Sequence, residues 1–315
     1  MSRTSYAFRP ADYQAELSAI LQACREHDRL DRAALQEILR RHPKDGRGFF
    51  SKSELVRGYR WLEALGAIES DGALLARLQM KPVRTRSGVA PVTVLTQPYP
   101  CPGRCIFCPS DVRMPKSYVS SEPGAQRAAE HRFDPYAQTA SRLASLHNIG
   151  HPVDKVELIV LGGTWSTYPE GYRLWFLARC LEALNDFDPV VAATTGSPAA
   201  RVDFAFEEVT AAVDGGRLDR TYNDVLRGLL ARGAAPDDAG NWEGLETQQR
   251  RNERARCRCV GLVLETRPDH LDSAEVVRLR RFGATKVQIG YQSLDDAVLR
   301  ANRRGHDVAA TRRAM

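Results

Sequence analysis

Through the first eighty residues apolar positions recur every three to four residues, the spacing of helices with one buried face. Residues 13–24 place Leu17, Ile20, Leu21 and Cys24 on one stripe. Asp31 is an N-cap for a second helix carrying Ala34, Leu35, Ile38 and Leu39, which must end before His42-Pro43. Ser51 or Ser53 caps a third, with Leu55, Tyr59, Leu62 and Leu65 inward and Gly66 as its stop. From residue 92 the pattern changes. Short apolar blocks at 92–95, 153–161, 259–264 and 286–290 read as buried strands. Helices are expected between them: one capped by Asp134, with Ala140, Leu143 and Leu146 inward, and one over 169–184 with Leu174, Leu177, Leu181 and Leu184 inward. Another follows Asp272 or Ser273, one opens at Asp295, and a further helix starts near Met315.

This alternation predicts an α/β fold, a partial (β/α) barrel behind a small N-terminal helical domain, with the boundary at 80/81. Residues 81–91 form a basic connector in which Lys81, Arg84 and Arg86 either touch phosphates or are solvated. Residues 109–135 read as a long polar loop, with Tyr118 and Arg132 as candidates to line a substrate channel or as plain surface residues. The stretch 186–256 reads as a polar insertion within the main domain. It holds helices near 204–213, 222–230 and 248–256, with breaks at Gly215-Gly216 and over 233–240.

Polar or glycine-rich residues stand directly after each strand, where an α/β barrel opens its active face. Gly162-Gly163-Thr164 follow the second strand, and two glycines there let the backbone come close to a ligand. Glu265 and Arg267 follow the third and Gln292 the fourth. Glu265 and Gln292 are candidates to hydrogen-bond ribose hydroxyls, and Arg267 to pair with a carboxylate or phosphate; each is equally readable as structural support.

Composition narrows the class. The chain has 315 residues, 43% hydrophobic and 27% charged, enough for one large domain and a small one. No apolar run approaches the length that spans a bilayer, and Met1-Ser-Arg-Thr-Ser lacks a signal-peptide core. The expectation is a cytoplasmic protein whose seven cysteines are reduced. The net charge of +6 permits nucleic-acid binding without requiring it. Arg40, Arg41, Lys44, Arg47, Lys52, Arg57 and Arg60 gather in the second half of the helical region. That suits a winged-helix-like or other nucleic-acid-binding bundle, or simply a solvated surface. Arg250, Arg251, Arg254, Arg256 and Arg258 form a second basic strip.

The cysteines carry the chemistry. Cys101-Pro-Gly-Arg-Cys105-Ile-Phe-Cys108-Pro109 sets three thiols at C-x3-C-x2-C spacing after the first strand, in a loop whose prolines forbid a helix. A four-iron cluster wants four ligands, so three thiolates leave one iron open to a small molecule. A disulfide would need an oxidising compartment. Zinc would need a second ligand pair, and Cys257 and Cys259, one residue apart, chelate poorly. Cys180 sits on the inner face of the 169–184 helix and is a core residue.

This spacing resembles the signature of radical S-adenosylmethionine (SAM) enzymes. The strings RTRSGVA, CPGRCIFCP, FDPYAQ, GHPVDKVELIVLGGTW, GLVLETRPD, GATKVQIGYQS and NRRGHDV together resemble the Elongator protein 3 family, in its bacterial and archaeal form. The similarity covers about residues 81–185 and 257–315. It implies a radical-SAM partial barrel, with a [4Fe-4S] cluster held by Cys101, Cys105 and Cys108. Gly162-Gly163 would meet the methionine moiety of SAM, and Lys155 would be associated with acetyl-CoA. It implies transfer chemistry on tRNA: a 5-carboxymethyl-type modification of the wobble uridine, built from acetyl-CoA and SAM, with the basic helices of residues 1–80 holding the tRNA. A homodimer is left open and the electron donor unspecified.

The family carries an acetyltransferase domain after the SAM domain, and this chain stops before any such sequence. Four strands are counted where a radical-SAM partial barrel has about six. The expectation is therefore a fragment, or a chain completed by a second polypeptide. Two other readings stand beside it: a radical-SAM oxidoreductase acting on a small molecule, and an inactive tRNA-binding fragment.

Overall fold

The computed structural model describes residues 8–27, 30–79, 87–194, 221–231 and 240–315. Lys81, Arg84 and Arg86 of the connector, the helix expected at 204–213 and the breaks at 215–216 and 233–239 lie outside them. The chain divides into two compact units. One comprises Met1–Ala90, Ala140–Lys155 and Asp186–Pro198; the other comprises Pro91–Thr139, Val156–Asn185 and Ala199–Met315. Residues 140–155 and 186–198 thus cluster with the N-terminal residues.

In the first unit, α1 (Gln14–Glu26), α2 (Arg32–Arg41) and α3 (Lys52–Ala64) lie where the apolar stripes predict them. Asp31 caps α2, its carboxylate accepting from the Ala34 N–H at 2.9 Å. Ser51 caps α3 in a reciprocal box: the Glu54 N–H donates to Ser51 Oγ at 3.2 Å, and the Ser51 N–H donates to Glu54 Oε2 at 2.7 Å. A fourth helix, α4 (Gly72–Leu78), escapes the periodicity because it is only seven residues long and starts in a turn-like Asp-Gly pair. It packs Leu74, Leu75 and Leu78 into a core shared with Leu17, Ile20, Leu55 and Leu62.

Most of the clustered basic residues of this unit are engaged internally. Lys44 pairs with Glu54 at 2.5 Å and lies over the Phe8 and Tyr13 rings. Arg57 donates to the Phe8 carbonyl at 3.0 Å, Arg60 pairs with Glu63 at 3.4 Å, and Arg41 pairs with Glu37. Arg40 and Arg47 are exposed, and so is Phe49, at the exit of the tight turn that Lys44 and Gly48 close.

Glu54 gives this unit a pH dependence. Burial alone would raise its carboxyl, but hydrogen bonds from Lys44 and Ser51 outweigh it and hold the pKa below the usual value. A carboxyl lowered on folding contributes stability above its unfolded pKa and loses it as pH falls through the folded one. The gap in thermal midpoint between wild type and Glu54→Gln is therefore expected to be widest near neutrality and to close between about pH 5 and pH 3. A gap that stayed constant over that range would show the shift to be absent.

In the second unit four strands, β1 (Ala90–Leu95), β2 (Lys155–Leu161), β3 (Arg258–Thr266) and β4 (Lys286–Ile289), form one sheet in sequence order. β3 and β4 are parallel, Val263 opposite Lys286 and Thr266 opposite Ile289. This is a mixed α/β architecture with the strand count the sequence predicts. Gln138 completes the end of β1, accepting from the Leu95 N–H at 2.9 Å and donating to the Leu95 carbonyl at 3.0 Å. It stands in α6 (Pro135–Asn148), which Asp134 caps through the Ala137 N–H at 2.9 Å.

The stretch 109–135 is not one long loop. It contains α5 (Pro123–Glu130), whose Pro-Gly start reads as a break but is a tolerated helix entry, proline lacking only an N–H that would be unpaired there. Ala125 and Ala128 of α5 pack with Leu95, Val112, Met114 and Phe133 and with α9 (Tyr222–Ala231). Between them in the chain run α7 (Glu170–Asn185) and α8 (Pro189–Thr194), the second unforeseen. The charged helix expected at 248–256 lies earlier, as α10 (Trp242–Asn252), with Asn241 rather than any charged residue as its cap. α11 (Ser273–Arg281) is capped by Asp272 and α12 (Asp296–Ala301) by Asp295. The C-terminal residues form a closed short helix, α13 (Val308–Ala314). Arg173 of α7 and Glu275 of α11 form a buried ion pair at 2.8 Å. Among the described residues no helix is long and apolar enough to cross a membrane.

Candidate functional site

The chain places the ends of all four strands around one pocket. It is lined by Cys101, Cys105 and Cys108 after β1, by Gly162, Gly163 and Thr164 after β2, by Glu265, Thr266 and Arg267 at the end of β3, and by Gly290 and Gln292 after β4. Nine of the ten residues singled out from the sequence converge there. The tenth, Lys155, is the exposed first residue of β2 and is not among the lining residues.

The cysteine loop is held from several sides. Asn223 of α9 grips the main chain of Cys101, accepting from its N–H at 2.9 Å and donating to its carbonyl at 2.8 Å. The Gly103 N–H donates to Cys101 Sγ at 3.4 Å, and Ser117 Oγ lies 3.2 Å from Cys108 Sγ. Arg304 Nη1 donates to Cys105 Sγ at 3.3 Å, and the Ile106 N–H donates to the Asn302 carbonyl at 3.2 Å. Burial pushes the Cys101 thiol up, opposed by the Gly103 N–H and by Arg267. None of the seven cysteines, all among the described residues, is in a disulfide. Cys180, whose thiol burial pushes up to about 12, is a core residue as its position on α7 predicts.

Arg267 is buried against this loop. It grips Asp269 through two donors at 2.8 and 2.7 Å and the Arg304 carbonyl at 2.9 Å. Its Nη1 is buried without a partner, and a Cβ on Gly103 would lie 2.3 Å from that nitrogen. A side chain at 103 would therefore have to displace the end of Arg267, and the carboxylate that Arg267 pairs with is the protein's own.

The Gly-Gly turn has a similar explanation. A Cβ on Gly162 would lie 1.9 Å from Thr96 Oγ1, and its φ of +136° is outside the range side chains favour. Thr96 is fixed in turn by Tyr168, whose hydroxyl lies 2.9 Å from Thr96 Oγ1 and donates to the Gln97 carbonyl at 2.8 Å. Close packing of protein on protein thus already demands this glycine. Glu265 is half-buried. Burial raises its carboxyl above the usual range against the pull of Arg304 and a hydrogen bond from Tyr118. Tyr118, read as a candidate channel residue, therefore does reach a site carboxyl. Gln292 is exposed, with a φ of +70°.

Among the described residues no three His, Cys, Asp or Glu side chains converge closely enough for a single metal ion. Three thiols spread around one pocket instead suit a polynuclear iron–sulfur group that takes one thiolate per iron. The buried N–H of Arg267 and the Arg304 donor give the pocket a positive wall for such an anionic group. Three residues of this arrangement escape sequence reading. Asn223 lies in the polar insertion, Ser117 in the stretch read as a loop, and Arg304 in a string (NRRGHDV) that pointed to a family but to no role.

No family model matches the chain. A tRNA uridine(34) acetyltransferase of Methanocaldococcus infernus is 32% identical over 307 residues, 95% of this chain and 46% of that protein. The protein of the same name from Methanocaldococcus jannaschii is also 32% identical, over 308 residues. Elongator complex protein 3 of Schizosaccharomyces pombe is 31% identical over 325 residues, 98% of this chain and 48% of that one. A solved structure of the archaeal Methanocaldococcus infernus Elp3 with an N-terminal deletion aligns over 73% of this chain and 35% of its own, at 29% identity and a TM-score of 0.44. The chain spans about half the length of the curated relatives it matches. Aligned to them over nearly all of its own residues, it belongs to the family of the Elongator protein 3 and tRNA uridine(34) acetyltransferase proteins.

Proposed function

We propose that this chain is the radical-SAM part of an enzyme that modifies the wobble uridine of tRNA, building a 5-carboxymethyl-type group from acetyl-CoA and SAM. The observation that carries this reading is the convergence of three cysteine thiols with the tips of the three following strands in one pocket. The relatives' names supply the substrate class. The four-stranded sheet is then a partial barrel of the radical-SAM type, with its active face at the strand ends.

In this proposal Cys101, Cys105 and Cys108 would hold a [4Fe-4S] cluster, their three thiolates leaving it able to take SAM as a further ligand. When bound, the cluster supplies the electron that splits the sulfonium of SAM into methionine and a 5′-deoxyadenosyl radical. The chain's own residues do the positioning. Gly162, Gly163 and Thr164 form the edge along which the methionine moiety lies. Glu265, held by Tyr118, and Gln292 hydrogen-bond the ribose hydroxyls. Arg267 and Asn223 keep the cysteine loop in shape so that the reacting carbon stays in place and water stays out. Lys155 meets acetyl-CoA at the opposite end of β2 from Gly162, its ammonium suited to the CoA phosphates. Arg40 and Arg47 supply phosphate contacts for tRNA and exposed Phe49 a stacking surface.

The test is anaerobic reconstitution of the full chain. The expected results are iron–sulfur absorbance, an EPR signal on reduction that changes when SAM is added, 5′-deoxyadenosine as product, and a tRNA complex that weakens steeply with salt. A cluster whose spectrum ignores SAM would remove the radical-SAM reading. SAM cleavage without any tRNA binding would favour a small-molecule substrate.

A further inference from the structure

Arg304 is 7% exposed, and among the described residues it forms no ion pair. Its donors go to Cys105 Sγ at 3.3 Å, to His306 Nε2 at 3.1 Å and to the Gly290 carbonyl. None of these acceptors is a carboxylate. Arg267, the other guanidinium behind the loop, differs in having Asp269 as a full counter-charge. A buried cation without a direct salt bridge is costly, and here the half-buried Glu265 carboxyl of the same pocket acts on Arg304 only through space. An anionic group in the pocket would add charge complementarity that these neutral acceptors do not supply. Arg304 Nη1 lies on the sulfur of Cys105, the most buried of the three clustered cysteines.

We propose that Arg304 is a positioning residue for the cluster: it donates a charge-assisted hydrogen bond to the Cys105 sulfur and raises the cluster's reduction potential. The inference rests on the cluster assignment made above. The physical reason is direct. A donor on a ligand sulfur withdraws charge from the iron, and a buried cation nearby favours the state with one more electron. Arg304 is also locked in place. Its own carbonyl accepts from Arg267 at 2.9 Å, and its backbone N–H donates to the Leu299 carbonyl at 2.9 Å. The guanidinium thus ties His306 after α12 and Gly290 at the end of β4 to the cysteine loop, while the Arg304 carbonyl ties in the tip of β3. The sequence shows the adjacent Arg303-Arg304 pair, but only the structure separates them. Arg303 is exposed, whereas Arg304 is inside.

The experiment compares wild type, Arg304→Lys and Arg304→Gln as full chains after anaerobic reconstitution. Iron per chain, far-UV circular dichroism and an EPR-monitored redox titration are read for each. Wild type must hold a cluster; if it does not, the cluster reading itself fails, separately from this inference. With iron content and dichroism intact, Arg304→Gln is expected to shift the oxidised-to-reduced ratio at fixed potential at least about tenfold toward the oxidised form, which is 59 mV for one electron. Arg304→Lys, keeping the charge, should recover part of the shift. A fully loaded Arg304→Gln cluster with an unchanged potential would overturn the proposal. If the variants do not load iron, wild type carrying 15N-arginine decides by pulsed EPR of the reduced cluster. An arginine nitrogen coupling that persists in Arg267→Lys supports the proposal, and one that is absent or is lost in Arg267→Lys overturns it.

Discussion

Replacing Cys105 with alanine is expected to abolish the iron–sulfur absorbance of the reconstituted chain and to lower SAM cleavage more than about 100-fold, the upper end of what losing a partner one step beyond a metal ligand costs. Three features make Cys105 the most sensitive of the trio. It is buried, with 8% of its surface exposed, so no water can take its place at an iron. Its sulfur is the acceptor for Arg304, so the change both removes a ligand and strands a buried donor. It also stands in a loop whose backbone is already fixed, by Asn223 at Cys101 and by Asn302 at Ile106, so the neighbouring cysteines cannot shift to cover the gap. Cys180→Ala is the matched control. That thiol is buried in the core of α7, 3.8 Å from the Pro135 carbonyl, and its loss should leave iron content at the wild-type value. Iron per chain and the anaerobic yield of 5′-deoxyadenosine measure both. A Cys105→Ala chain that still held a full cluster and cleaved SAM would show that the thiol trio is not the ligand set.

How much of this was open to sequence reading depended on whether a feature is local. The strands were visible because solid runs such as Leu158-Ile-Val-Leu161 read as buried strands in an α/β chain. The caps were visible because Asp31, Ser51, Asp134, Asp272 and Asp295 each satisfy N–H groups within the next turn. The convergence of strand tips followed from the rule that such sheets act at one end. What escaped was short or long-range. α4, α5 and α8 have six to eight residues each, too few for a stripe to stand out from chance. Asn223 lies 122 residues from Cys101, and Arg304 lies 199 from Cys105. No spacing rule reaches that far. Arg267 was legible as a charged residue at a strand tip, but its use was not. A guanidinium looks free to take a ligand carboxylate until Asp269, two residues on, is seen to occupy its Nε–Nη2 edge.

Gly162→Ala is expected to destabilise the second unit by about 2–6 kcal/mol, with overpacking contributing about 1–3 and the unfavourable backbone angle about 1–3. The new methyl group would meet Thr96 Oγ1 at 1.9 Å and the Thr96 Cβ and N at 3.2 Å. Thr96 cannot retreat, since it is buried, its N–H donates to the Leu161 carbonyl at 3.0 Å, and Tyr168 lies against its hydroxyl. The double variant Gly162→Ala with Thr96→Ala separates the two contributions. Removing Oγ1 eliminates the severe contact but leaves the φ of +136°, so partial recovery is expected and full recovery is not. Denaturant midpoints with unchanged slopes measure the effect on the apo chain. The same pair of variants tells two roles for the turn apart. If the glycine serves only the approach of a ligand, Gly162→Ala will keep wild-type stability and lose SAM affinity alone. If it serves the fit of β2 against the segment after β1, the apo chain itself will be weakened, and the pocket with it, because Gly162 and the cysteine loop are both held by residues that follow β1.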